Sequence, residues 1–506
     1  MQMKILAVDV GTTTLKCGVV NLDDLSFDSY FSERTELLTP KPGYVEEDPE
    51  KLWEAVLNVS RRCIERADLR ISSVVFTAHM GGVVPVNDKG EPLDNIIVWL
   101  DQRATGFPEE LWHGWPRIWG YSLSRYLESV RIAGGVPARI GKDVLSKLCW
   151  IKRERPEVYS RTRKFLDVRG YLVARATGVM LTSQDEASIT WLADTRNGRA
   201  LWSSALAGKY RLDASKLCEI RDTVEVAGHL KPEVARELGI QAVPVFVGAG
   251  DMTSAALGSG ALSENQVHVY VGTSDWVGAH ISQRKRDFAH HIGSLLSAIP
   301  ARYLLIGVQE MAGGALDWAM SLLGVQSYKE VEESLSGARA LSRTVFTPWL
   351  SGERSPVDDP HVRGGFFNLD YTATREDLLS AVVTGVALNI KWVYSYIRKI
   401  TGSQEWVSVV GGGALIDGWC QRITDALGVT IKVPEHPERT GLRGSAIIAA
   451  AGAGLYTFRD ATTRIRIERE FRPNRVDFLR LEKTFRAYMA IYRNLAEIYR
   501  GLNVHA

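Results

Sequence analysis

The stretch VDVGTTTLK, Val8–Lys16, sets an acidic residue, a glycine, three consecutive threonines and a lysine between two runs of strand-forming residues. A glycine lets the backbone turn sharply and come close to a ligand. The N–H groups and hydroxyls that follow can donate to phosphate oxygens, and Lys16 adds positive charge. Asp9, just ahead of the turn, is a candidate to hold Mg²⁺ through water, because magnesium sites combine one or two carboxylates with phosphate. The familiar phosphate loop, G-x-x-x-x-G-K-[ST], occurs nowhere in the chain. Taken alone, the stretch reads equally well as a plain hairpin with threonines chosen for strand propensity.

On either side, KILAVDVGTTTLKCGVVNLDD reads as strand, tight turn and strand. A helix follows, with Asp48 as N-cap, Pro49 as first helical residue and Leu52, Val56, Val59 and Cys63 as its apolar stripe. SSVVFTA and NIIVWLD read as strands, the second ending at Asp101 and Arg103. Strands alternating with helices point to an α/β fold. QVHVYVGTSDWVGAHIS repeats the first layout, so that Gly272-Thr273-Ser274 lies about half a chain from Gly11-Thr12-Thr13. Two similar turns suggest two related lobes facing one cleft. The glycine-rich run VFVGAGDMTSAALGSGAL suggests a hinge, which divides the chain into a lobe over 1–248 and a lobe over 249–506. Near the end, WVSVVGGGALIDGWCQRITDALG reads as strand, triple-glycine turn and helix, and RGSAIIAAAGAGLY as a small-residue helix able to pack closely. Phe478, Leu481, Phe485, Tyr488, Tyr492, Leu495 and Tyr499 mark a final amphipathic helix, packed on its own lobe rather than in a coiled coil.

A chain of 506 residues is long enough for two or three domains at roughly 100–200 residues each. Lys and Arg number 61 against 59 acidic residues, which leaves no electrostatic footprint for nucleic acid or anionic lipid. The five cysteines form no C-x-x-C pair, so neither a zinc knuckle nor a disulfide framework is indicated, and scattered thiols fit a cytoplasmic protein. The opening MQMKILAVDV is too short in apolar residues for a signal peptide, and no uncharged apolar run is long enough to span a bilayer.

Asp251 follows a strand into a glycine-rich bend. Phosphoryl transfer to a sugar hydroxyl needs a carboxylate there to orient the hydroxyl and accept its proton, although an Asp bonding its own turn is the commoner reason for such a residue. The triple glycine at 411–413 can bring backbone against a nucleotide or simply make a tight strand–helix turn. It departs from G-x-G-x-x-G at Ile416, which removes a dehydrogenase reading.

In order along the chain, AVDVGTTTLK, GYVEEDPEKLWEAV, GEPLDNIIVWLDQRA, LTSQDEASITWLAD, GAGDMTSAALGSGA, YVGTSDW, QEMAGGALDW, PWLSGERSP and VVGGGALIDGWCQRITDALG resemble the FGGY family of carbohydrate kinases over nearly the whole length. The resemblance implies a two-lobed actin-like (ribonuclease H-like) ATPase fold, with a mixed sheet flanked by helices in each lobe. It implies ATP and Mg²⁺, with Asp9 near the metal and Gly11, Thr12, Thr13, Lys16 and Thr273 at the phosphates. Gly313, Asp317, Gly413 and Asp417 would line the adenosine side, and Asp251 would be the general base. Lobe closure would exclude water from the transfer. The partner implied is a small-molecule sugar or polyol, and a homodimer is the assembly entertained.

The acceptor stretch departs from the family pattern. Xylulose kinases carry G-Q-M-H-G and glycerol kinases an N-Q-R-E stretch where this chain has TAHMGG. The missing Arg-Glu pair counts against glycerol. Met80 is retained, while Gly81 stands in place of the xylulose-kinase histidine. His79 would substitute from one position earlier only by facing the other side of a strand, so a core role is an equal reading. Asp101 and Arg103, in the W-x-D-x-R pattern, either fix a sugar or pair with each other. The reading is a kinase for a ketose such as xylulose, another pentulose, or a polyol, with a sugar acid or alditol as alternatives. A catalytically silent sugar-binding regulator and an actin-like ATPase are its rivals.

Overall fold

The computed structural model describes residues 3–67, 70–337 and 341–503, so Met1 and Gln2 of the opening run lie outside the described residues. Two sheets carry the architecture, and both are built round a hairpin. In the first, Lys4–Val10 pairs antiparallel with Thr14–Asn21 and parallel with Ile71–Ala78. Phe27–Arg34 closes one edge, and Pro244–Phe246 followed by Val226–His229 closes the other. In the second, Val267–Val271 pairs antiparallel with Asp275–Ile281 and parallel with Trp406–Val410. That sheet runs on through Thr430–Pro434 to Ile467–Phe471, and on its other side through Tyr303–Gln309 to Gly293–Leu296. The strand Lys4–Val10 is buried throughout, which is why it reads as an almost unbroken apolar run. Its one cation, Lys4, is paired with Asp28 at 2.7 Å.

The local signals mostly act as read. Asp48 Oδ1 accepts the Glu50 and Lys51 N–H groups at 2.9 and 3.1 Å, capping the helix Pro49–Ala67. Thr374 and Asp377 form a capping box at the start of Arg375–Thr401, which runs through the core of the second lobe. That helix is long and apolar enough by composition to cross a membrane, but 89% of its apolar window is buried inside the protein. Its single interior lysine, Lys391, kept the run from reading as uncharged. The final helix, Arg475–Asn503, lies on its own lobe: Leu481 and Tyr488 are buried, and Tyr488 donates to Asn389 Oδ1 at 2.7 Å.

Two elements differ from the sequence reading. NIIVWLD yields only the short strand Ile96–Ile97, because the chain turns at once, with Asp101 N–H donating to the Val98 carbonyl. The glycine-rich run after Val247 contains a helix, Asp251–Gly258. Its glycines serve close packing: a Cβ on Gly258 would sit 2.0 Å from the Thr440 carbonyl oxygen, and one on Gly444 only 1.8 Å from that of Ser254. The partner is the helix Thr440–Gly452, late in the chain, which lies against the N-terminal sheet and shares a core with Ile5, Ala7, Val75 and Phe246.

Candidate functional site

Both hairpin turns face the space between the sheets with unspent donors. In the first, Gly11 N–H bonds Thr14 O at 3.0 Å, while Thr35 occupies the Gly11 carbonyl through its hydroxyl and the Thr13 carbonyl through its N–H. Among the described residues, the N–H and hydroxyl groups of Thr12 and Thr13 find no acceptor. In the second, Gly272 N–H bonds Ser274 O, and Ala312, Gly313 and Gly314 donate to the Gly272 and Thr273 carbonyls at 2.8–3.0 Å. The N–H groups of Thr273 and Ser274 are left free in the same sense. Glycine is required here because a Cβ on Gly313 would lie 2.6 Å from the Gly272 oxygen. Gly413 presses on the same strand, its Cβ position 2.4 Å from a Val271 methyl. Gly313 and Gly413 therefore both belong to the second turn.

Asp9 and Lys16 stand opposite each other across the first hairpin and so share one face of the sheet. Burial raises the Asp9 carboxyl above its usual range, with Lys16 and His79 pulling the other way. Its side chain has no hydrogen-bond partner among the described residues, and Gly441 closes over it, a Cβ there falling 2.5 Å from Oδ2. Lys16 Nζ donates to the Glu438 carbonyl at 3.2 Å, joining the hairpin to the start of the helix Thr440–Gly452. Burial works against its charge, but Tyr270, Asp9, Tyr30 and Glu438 together outweigh burial and hold the ammonium above the ordinary lysine range.

Asp251 opens its helix deep in the cleft. Burial first, and the Asp9 charge second, push its carboxyl up to about 7, against the opposing influence of His79. Met252 N–H donates to its Oδ1 at 2.8 Å. Asp185 holds this turn from behind, accepting from Gly250 N–H at 2.8 Å and from the Thr253 and Ser183 hydroxyls. Met80 packs on Gly250 so tightly that a Cβ there would lie 2.3 Å from Met80 Cγ.

The acceptor stretch is held rather than open. His79 is buried and bonded through Nε2 to Glu47 at 2.9 Å. Burial disfavours its imidazolium, but Glu47 beside it holds the pKa above the ordinary histidine value. Gly81 adopts a left-handed φ of 77° that a glycine accepts without strain. Its carbonyl accepts from Lys147 Nζ at 2.8 Å, and its N–H faces Glu186 at 3.5 Å. Burial pulls the Lys147 ammonium down to about 7 and pushes the Glu186 carboxyl well up.

The fold brings Asp9, Lys16, Asp251, His79, Met80 and Gly81 together, with Tyr270 reaching them from the other lobe. Other candidates are engaged elsewhere. Asp101 and Arg103 grip each other at 2.8–2.9 Å, with Glu46 and the Val45 N–H completing a buried cluster. Asp317 accepts from the Tyr328 hydroxyl at 2.7 Å, and Asp417 pairs with Arg469, both near the surface. Asp185, Glu186, Lys147, Glu47 and Gly441 escaped the sequence reading. Only LTSQDEASIT pointed towards the first two, as a motif without assigned roles.

Two lobes, each with a Gly-Thr hairpin turned to a shared cleft over a buried carboxylate, define an actin-like nucleotide-cleft protein. The N-terminal domain model of the FGGY family of carbohydrate kinases matches residues 4–258 and its C-terminal domain model residues 267–453, so the chain belongs to that family. It is an ATP-dependent sugar kinase. It is similar to a xylulose kinase of Staphylococcus epidermidis, at 26% identity over 98% of both chains. It is also similar to a gluconokinase of Bacillus subtilis, at 25% identity over 98% of this chain and 96% of the other. Among solved structures, gluconate kinase from Lactobacillus acidophilus shares the fold at a TM-score of 0.88, with 23% identity over 99% of this chain and all of the other.

Proposed function

We propose that the chain transfers the γ-phosphoryl group of ATP to a terminal hydroxyl of a sugar, with Asp251 as general base. The observation that carries this reading is Asp251 itself, a carboxylate pushed up to about 7 between Asp9 and the acceptor-side Met80. A base with a pKa near the working pH is part ionised and still basic enough to take a hydroxyl proton. As the acceptor oxygen bonds the γ-phosphorus, its proton passes to Asp251 and the bond to the bridging oxygen breaks, releasing ADP.

On the donor side, the free N–H groups of Thr12, Thr13 and Thr273, with Lys16, are placed to hold phosphate oxygens from both lobes. Asp9 fits a Mg²⁺ site, because it is a buried carboxylate with no hydrogen-bond partner among the described residues, whose charge Lys16 and His79 offset only in part. When bound there, the ion would neutralise phosphate charge. Gly313 and Gly413 shape the second turn, with Asp317 and Asp417 towards the adenosine side. His79, Met80 and Gly81 form the acceptor wall, where His79 acts by lowering the proton affinity of Asp251. Asp101 and Arg103 brace that wall. The acceptor is a ketose, a polyol or a sugar acid. ADP release and product mass measured across ketoses, alditols and sugar acids test the reading, and no acceptor raising turnover above the water background would end it.

A further inference from the structure

Beyond Gly81 the acceptor side opens onto Trp99, whose Cβ is 3.7 Å from where a Gly81 Cβ would stand. Two cations meet over that indole from different parts of the chain. Lys142 Nζ lies 5.9 Å from the ring centroid, and Arg354 Cζ lies 5.8 Å from it. Lys142 precedes the helix Val144–Glu154 in the N-terminal half, whereas Arg354 belongs to the loop after Trp349 in the C-terminal half. Arg354 is ion-paired with Glu310, Nε to Oε1 at 2.6 Å, and among the described residues its two Nη atoms have no hydrogen-bond partner. Lys142 makes neither hydrogen bond nor ion pair there. The neighbouring Asp143 carboxylate makes no ion pair with it, its oxygens accepting from the Ala138 N–H and Trp191 Nε1, both at 2.7 Å. Burial and the neighbouring Arg354 both disfavour the Lys142 charge, which Glu310 and Asp143 offset only in part.

Lys142 Nζ and the two Arg354 Nη atoms thus keep donors that no acceptor among the described residues uses, and an anion answers such donors best. A ketose or alditol carries no such group; a sugar acid does. We propose that the acceptor is a polyhydroxy carboxylate whose carboxylate lies between Lys142 and Arg354 beside Trp99, with the hydroxyl to be phosphorylated at Asp251. The proposal rests on the kinase reading with Asp251 as base. The carboxylate would bridge the two halves of the chain, so the acceptor itself would favour the closed cleft.

The test is steady-state phosphorylation of five- and six-carbon aldonates against ketoses and alditols of equal length, followed by mass spectrometry. The wild type should turn over an aldonate with kcat/KM at least about tenfold above any neutral acceptor, a charge-assisted bond being the difference. Lys142→Met and Arg354→Met should each raise KM for the aldonate about 10- to 100-fold, with KM for ATP unchanged. Lys142→Arg should recover most of the loss and shows that the position tolerates exchange. Preference for a neutral acceptor, or an aldonate KM indifferent to both Met variants, overturns the proposal while leaving the kinase reading intact. Turnover of neither class overturns both.

Discussion

The two Gly-Thr turns share a backbone plan and differ in chemistry. Each tops a hairpin at the centre of a sheet, with a parallel strand alongside. Two residues before its glycine, the first hairpin carries Asp9 and the second Tyr270, which stacks on Trp276 at 3.9 Å. Five residues after it stand Lys16 and Val277 respectively. The second turn is instead laced to the start of the helix Gly313–Leu323 by three backbone hydrogen bonds. The first turn thus supplies charge and the second supplies a fixed wall. Similar folds in the two halves do not make the halves interchangeable in the reaction.

Substitutions can break this division of labour. Asp9→Asn should have the largest effect of those confined to the turns, lowering kcat/KM about 10²–10³-fold, as removal of a preorganised electrostatic group does. Its melting temperature should be unchanged or higher at pH 8. Because the folded-state pKa is raised, the native protein is destabilised above the usual carboxylate pKa, and the amide removes that cost. Gly313→Ala should come next. Its methyl meets backbone at 2.6 Å, so stability should fall by about 1–3 kcal/mol in denaturant titrations, with weaker ATP binding. Gly11→Ala, whose Cβ meets Thr14 O at 3.1 Å, should cost less, and equal losses would contradict the asymmetry. Lys16→Met should raise KM for ATP about tenfold, and Thr273→Ala should act less.

As the proposed base, Asp251 should set the pH profile. With its carboxyl at about 7, kcat/KM should fall about tenfold per unit below that pH and level off above it. A profile flat from pH 5 to 8 would detach Asp251 from proton transfer.

What the sequence made legible was local. Gly11 and Gly272 declare their hairpins through glycine, threonine and flanking β-branched residues, and Asp48-Pro49 announces a helix start. What it hid was brought in from a distance. Asp185 reaches Gly250 across 65 residues, Glu47 reaches His79 across 32, and Lys147 reaches Gly81 across 66. Gly441 reads as one more small residue until its helix is seen lying on the N-terminal sheet over Asp9. The run after Val247 hid a helix, Asp251–Gly258, whose Gly258 makes close contact with the helix that carries Gly444. Asp101 and Arg103 carried a recognisable pattern, but only the fold shows Glu46 and Val45 completing their cluster.

The central claim is that Asp251 takes the acceptor proton in a cleft that holds ATP without it. Asp251→Asn keeps an acceptor for the Met252 N–H and relieves a buried charge, so it should fold at least as stably as the wild type at pH 8. ATP binding by calorimetry should persist, while sugar phosphate formed per hour, counted by mass spectrometry, should drop about 10²–10⁴-fold. Product formed at the wild-type rate by this variant would contradict the account.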